Sequence, residues 1–418
     1  MTQTITSRTI RTCRGCKSER LYPVLDLGTT PLANSLLDTH DAPPELRFPL
    51  KVALCESCAL VQITEDVPPE ALFSDYVYFS SFSAGMTASA KELAEALVRS
   101  EGLTCESFVV EIASNDGYLL KHYKAADIPV LGVEPAANVA KVAQEAGIDT
   151  RVEFFSHKLA SDLAVVRRAD VIHANNVLAH VPDPVDFLKG VRALLKPTGL
   201  VSIEVPYLGE LLRRVAFDTV YHEHLFYFSL TALRGLFAAA ELDIVGVDSI
   251  PLHGGSLRVF GAPTNARFKM LDVRELLDVE HQQNLGRPDA FERLQTRVDG
   301  IKTSLVSLLE SLRSQGKTIA AYGAAAKGAT LLSFCGIGPD LVDYVVDRST
   351  YKVGKFMPGS RLPILPVSDL EARKPDYCLL LAWNFADEIA EQQAHYLKAG
   401  GQFIIPVPSP SIVAAPVA

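Results

Sequence analysis

Two cysteine pairs, Cys13-Arg14-Gly15-Cys16 and Cys55-Glu56-Ser57-Cys58, constrain the beginning of this chain more than any other feature. Each C-x-x-C knuckle offers two thiolates on one side of a tight turn, and two knuckles supply the four corners of a tetrahedral zinc site. A thioredoxin-like motif would set one pair beside a strand–helix unit and leave the other unexplained. Disulfides are disfavoured in a reducing compartment, and the start MTQTITSRTIRTCRGC has no apolar stretch of a secretory signal. We therefore expect Cys13, Cys16, Cys55 and Cys58 to hold a structural zinc, with no coordination position open to a substrate, in an N-terminal module over residues 1–80. Cys105, Cys335 and Cys378 read as core residues.

A chain of 418 residues exceeds what one hydrophobic core organises, so several units are expected. The net charge of −9 argues against a nucleic-acid partner, and no apolar run reaches the roughly 20 residues of a bilayer span. A cytoplasmic location, no membrane association and a monomer are the expectations. Residues 67–84, VPPEALFSDYVYFSSFSA, are dense in aromatics and hydroxyls and read as a packing loop or as a lid, with Tyr76 and Tyr78 facing substrate. A helical apolar pattern follows over residues 85–101.

From residue 107 short apolar runs (SFVVEI, VLGVEP, TRVEFF, ADVIHANNV, GLVSIEVPY) alternate with helical stretches, the signature of a doubly wound parallel sheet. The first run leads into EIASNDGYLL. There Ala113 and Asn115 occupy the first two glycine positions of E-x-G-x-G-x-G, and only Gly117 remains. Asn tolerates left-handed backbone, so the loop can still turn tightly. Glu134, at the end of the second strand, stands where an acid binds ribose hydroxyls in this fold. Without a full glycine set for a pyrophosphate, the pattern favours S-adenosylmethionine over a dinucleotide. Ala113, Asn115, Asp116, Gly117, Glu134, Phe154, Asn175 and Asn176 are the residues expected to hold it. Further on, KTIAAYGAAAKGATLL, DYVVD and DYCLLLAW repeat the strand–turn–helix pattern. The small residues from Gly323, with Lys327, Asp347 and Lys352, suit a phosphate and a ribose.

YHEHLFYF, residues 221–228, places a phenol, a carboxylate and two imidazoles in four consecutive positions. Together with the paired C-x-x-C, the S-N-D-G loop, HGGSLRVF, GAAAKGATLL and VVDRSTYKVGKFMPG, in that order, it makes the chain resemble the zinc-containing C-methyltransferases of deoxysugar biosynthesis. The resemblance covers nearly the whole chain. It implies an α/β protein of three parts: an N-terminal zinc-binding module, a class I (Rossmann-like) methyltransferase domain and a C-terminal second Rossmann-like domain that helps hold the sugar nucleotide. The domains expected are residues 1–80, 81–265 and 301–418, with a helical connector over 266–300.

It also implies Tyr221, Glu223, His224 and His180 as catalytic residues. The implied substrate is a nucleoside-diphosphate 4-keto sugar, with thymidine diphosphate as the nucleotide. Methylation of carbon beside a ketone needs a base and an oxyanion partner. His224 is the expected base, with Tyr221 and His180 near the enolate oxygen and Glu223 orienting them. In an extended strand Tyr221 and Glu223 would face away from His224, so the segment must bend. An NAD-dependent oxidoreductase of the same fold and a noncatalytic zinc scaffold are the alternatives.

Overall fold

The computed structural model describes residues 7–68, 80–82, 84–251 and 254–414. Tyr76, Tyr78 and His253 lie outside these residues. Long strands with one buried face, Leu21–Pro31 and Arg47–Cys55, pair antiparallel and continue into Val61–Ile63. The fourth strand of that sheet comes from far along the chain: Phe226–Tyr227 pairs antiparallel with Val61–Ile63. Residues just after the Tyr221–His224 stretch are thereby built into the cysteine-bearing sheet.

The middle sheet contains β1 (Val109–Ile112), β2 (Val130–Val133), β3 (Thr150–Arg151), β4 (Ala169–Asn175), β5 (Leu195–Pro206), β6 (Leu242–Ile250) and β7 (Ser256–Pro263). Their order is β3-β2-β1-β4-β5-β7-β6, and β7 alone runs antiparallel to its neighbours. All four residues of β1 are buried, as expected for a parallel strand covered on both faces. The order reverses direction between β1 and β4, which opens a crevice at the carboxyl ends of the strands. Helices enter this sheet with proper signals. Asp183 accepts hydrogen bonds from the amides of Val185 and Asp186 ahead of Pro184–Leu194, with proline in the first turn.

A second parallel sheet runs in the order Ile364–Pro366, Val345–Asp347, Ile319–Tyr322, Tyr377–Leu380, Gln402–Ile405, closed by antiparallel Ser411–Val413. Before it lies helix Leu294–Ser314, which buries Leu294, Val298, Ile301, Leu305, Leu309 and Leu312 at helical spacing. This helix continues through residue 300, so the connector and the entry to the C-terminal unit form one rod. Cys335 and Cys378 are buried as expected. Cys105 is exposed, because it sits in the polar turn ahead of β1 and not on a packed face.

Candidate active site

The cysteines form the only cluster of metal-ligand geometry among the described residues, with all four sulfurs within 4.8 Å of one another. The Sγ atoms of Cys13 and Cys58 are 3.6 Å apart, and those of Cys16 and Cys55 are 3.5 Å apart. Tetrahedral zinc with Zn–S near 2.3 Å puts sulfurs about 3.8 Å apart, so the four thiols fit the ion. Both knuckles turn alike: Lys17 after Cys16 and Ala59 after Cys58 are left-handed, with φ of 63° and 62°. The contact with Cys58 pulls the Cys13 thiol down to about 5 against the opposing effect of burial, and pushes the Cys58 thiol up.

At the carboxyl edge of the middle sheet, Ala113, Asn115 and Gly117 all adopt positive φ, 55°, 51° and 78°. The loop keeps the backbone of the glycine motif without its first two glycines. Glu134 holds this shape. Its Oε2 accepts from the Asn115 amide at 2.9 Å and its Oε1 from the Ala136 amide at 2.9 Å. The short turn Ser80–Phe82, from earlier in the chain, is tied to the same loop, since the amides of Ser80 and Ser81 donate to the side chains of Asn115 and Asp116. Buried oxygens without a hydrogen-bond partner gather nearby: Asp116 Oδ1, Asn175 Oδ1, and both carboxyl oxygens of Glu111. Such groups suit a polar ligand. Asn176 is left-handed at φ 54° and ends β4 in a turn, while Phe154 is largely exposed.

That turn carries His180, whose ring lies 4.8 Å from the ring of His224. The Tyr221–His224 stretch does bend, with the His224 amide donating to the Tyr221 carbonyl at 3.0 Å. The bend puts Tyr221 Oη 2.7 Å from His224 Nε2. His224 Nδ1 lies 3.2 Å from the Thr219 carbonyl, which can only accept. Nδ1 therefore carries the proton, and Nε2 accepts from the Tyr221 hydroxyl. Burial lowers the His180 imidazole to about 4, which keeps it neutral.

Glu223 departs from its expected place. It does not hold the tautomer of His224; its Oε1 accepts from Asn34 Nδ2 of the N-terminal module at 3.1 Å, and burial raises its carboxyl. His222 turns the other way and donates to the Pro49 carbonyl. Asn34 and Thr219 carried no sequence signal, because one acts across modules and the other through its backbone.

Lys327 lines a cleft with Pro206, Tyr207, Thr219, Tyr227 and Trp383. Its ammonium is not left for a phosphate. It lies 3.6 Å from Asp218, donates to Asn384 at 2.9 Å and sits 4.0 Å above the Trp383 ring. Asp347 repeats the role of Glu134: Oδ2 accepts from the Ala324 amide and Oδ1 from the Ser349 amide. Gly323 has φ of 98°, and Lys352 donates to the Ala324 carbonyl.

Three family models match the chain: "Putative zinc binding domain" over residues 13–73, methyltransferase domain over 90–247, and C-methyltransferase C-terminal domain over 251–408. The C-methyltransferase NovU of Streptomyces niveus is 38% identical over 411 residues, covering 98% of each chain. Among solved structures, magnesium protoporphyrin IX methyltransferase of Synechocystis PCC 6803 with bound SAH is 12% identical, with 43% of this chain and 84% of that one covered and a TM-score of 0.35. The Burkholderia thailandensis 1,6-didemethyltoxoflavin-N1-methyltransferase is 19% identical, with 49% and 96% covered and a TM-score of 0.34.

Proposed function

Since this chain belongs to the C-methyltransferase family, with a zinc-bearing N-terminal module and S-adenosylmethionine as its methyl donor, we propose that it methylates C3 of a nucleoside-diphosphate 4-keto deoxysugar in deoxysugar biosynthesis. Family membership removes the oxidoreductase and scaffold alternatives. Bound at the 113–117 loop, Glu134, Asn175 and Asn176, the donor supplies an electrophilic methyl group. The chain's own task is to make C3 nucleophilic.

The observation that carries this reading is the Tyr221–His224 dyad, with the Nδ1 proton of His224 held by the Thr219 carbonyl and its unprotonated Nε2 accepting from the Tyr221 hydroxyl. His224 Nε2 takes the C3 proton, and the C–H electron pair moves into a C3–C4 enolate whose charge rests on the ketone oxygen. Tyr221 turns its hydroxyl from Nε2 to that oxygen, and neutral His180 stands beside it as a second partner. Such preorganised donors are worth about 2.7–4 kcal/mol each in oxyanion sites. Glu223, held by Asn34, shapes the wall behind them.

The nucleotide, with thymidine diphosphate as our choice, rests against Gly323, Asp347 and Lys352. The matching geometry of Asp347 and Glu134 supports a second ribose site there.

With S-adenosylhomocysteine in place of the donor, the enzyme should exchange the C3 hydrogen of a thymidine-diphosphate 4-keto deoxysugar in heavy water without methylating it. His224→Asn should abolish that exchange. Persistence of exchange in His224→Asn and its loss in His180→Asn would reverse the two roles.

A further inference from the structure

We propose that Asp218, clamped by Trp383 and Lys327 of the C-terminal unit, is a positioning residue that sets the proton-accepting face of His224. The inference rests on the reading of His224 as base. Asp218 lies in the short turn Phe217–Thr219, with no solvent exposure. Trp383 Nε1 donates to its Oδ2 at 2.7 Å, and Lys327 Nζ stands 3.6 Å from the same oxygen. A buried ion pair of this kind contributes little net stability compared with apolar packing, so a demand on position is the better account of it.

The neighbours of Asp218 are held by the same unit. Phe217 packs edge-on against Phe334, with ring centroids 5.2 Å apart. The Val220 carbonyl accepts from Thr330 Oγ1 at 3.2 Å. Three of the four residues 217–220, namely 217, 218 and 220, are thus fastened to helix Ala326–Cys335 or to Trp383. The fourth is Thr219, whose carbonyl receives the Nδ1 proton of His224.

The turn is also entered through strained backbone. Val215, β-branched and fully buried, is left-handed at φ 55°, a conformation that persists only where the surroundings enforce it. Lys327 belongs to the first turn of the helix that follows Gly323. Docking of the C-terminal unit is therefore part of building the base, and the nucleotide's proposed seat adjoins the clamp.

Trp383→Phe removes the N–H donor and keeps a ring beneath Lys327. It should lower kcat and donor-free C3 exchange together by about 10- to 100-fold, the scale on which loss of an outer partner acts through a metal-bound imidazole. The dissociation constant for S-adenosylhomocysteine and KM for thymidine-diphosphate 4-keto-6-deoxyglucose should stay within about twofold. Thr330→Val should act in the same sense, and Thr330→Ser should restore the rate.

Asp218→Asn leaves Lys327 buried without its counter-charge; if it fails to fold, the double variant Asp218→Asn/Lys327→Met replaces it and should fold yet remain slow. Wild-type turnover in Trp383→Phe, a double variant of full rate, or parallel losses in kcat and both binding constants would overturn the positioning role. His224→Asn in the same exchange assay separates the two ideas. Exchange surviving there removes the base assignment, whereas exchange lost there but intact in Trp383→Phe removes only the clamp.

Discussion

Glu134 stood out in the sequence by its place at the end of a predicted strand, and the structure adds that both of its oxygens already hold loop amides. Glu134→Ala should therefore unmake the loop as well as the proposed ribose contact. With charged hydrogen bonds worth about 1.5–3 kcal/mol each, calorimetry should show S-adenosylhomocysteine binding weakened tenfold or more. Unchanged affinity would move the donor site elsewhere.

His173, on β4, carried no functional signal and has none in the proposed reaction. It is fully buried, with Tyr123 Oη 2.8 Å from its Nε2, and burial depresses its imidazole to about 3. Above the ordinary histidine pKa of about 6.5, neither folded nor unfolded chain binds this proton. Between there and about 3 only the unfolded chain does, so stability falls as pH falls. The slope is about 1.4 kcal/mol per pH unit for each such group, and His180 adds to it down to about 4. Urea titrations between pH 6.5 and 4.5 should show His173→Asn with a shallower loss than the parent chain; an identical slope would contradict the depressed value.

Among elements, β2 shows how close the 113–117 loop lies to the sheet. A Cβ at Gly132 would stand 2.4 Å from Ser114 Oγ, 3.0 Å from Ser114 Cβ and 3.1 Å from Thr150 Oγ1. The loop can lie flat on β2 only because that residue has no side chain. Gly132→Ala should cost about 1–3 kcal/mol by overpacking, measured by denaturant unfolding, and should weaken S-adenosylhomocysteine binding. Adding Ser114→Gly should recover much of the stability; no recovery would place the strain elsewhere. Alternating apolar runs announced β1 to β5 correctly, since a strand buried on both faces leaves a continuous apolar stretch. The two-residue strand Phe226–Tyr227 was not announced, because its partner strand lies more than 160 residues earlier in the sequence.

For the whole molecule, that short strand ties the zinc module to the segment that carries the proposed catalytic dyad. The Ile63 amide donates to the Leu225 carbonyl at 3.0 Å, while Asn34 and Pro49 hold Glu223 and His222. Metal binding energy in such a module is folding energy. Cys55→Ser, or zinc extraction by a chelator, should lower thermal stability and abolish C3 exchange. S-adenosylhomocysteine binding at the middle sheet should survive under mild conditions. A zinc-free protein with full exchange would make the module a bystander.

The sequence alone determined what depends on local spacing: the four-cysteine site, the two strand–turn–helix units and the acid at the end of a strand in each of them. Those features are set within a few residues, and the chemistry of thiolate coordination or of a tight turn leaves few alternatives. The bend that brings Tyr221 to His224, the Thr219 carbonyl that selects a tautomer, the pairing of Glu223 with Asn34, and the diversion of Lys327 to Asp218 were decided by tertiary structure. Hydrophobic periodicity reports which face of an element is buried and not what covers it. A backbone carbonyl has no side-chain identity to read. The partners of the segment from Phe217 to His224 come from both neighbouring units, so its geometry exists only once the three are packed together.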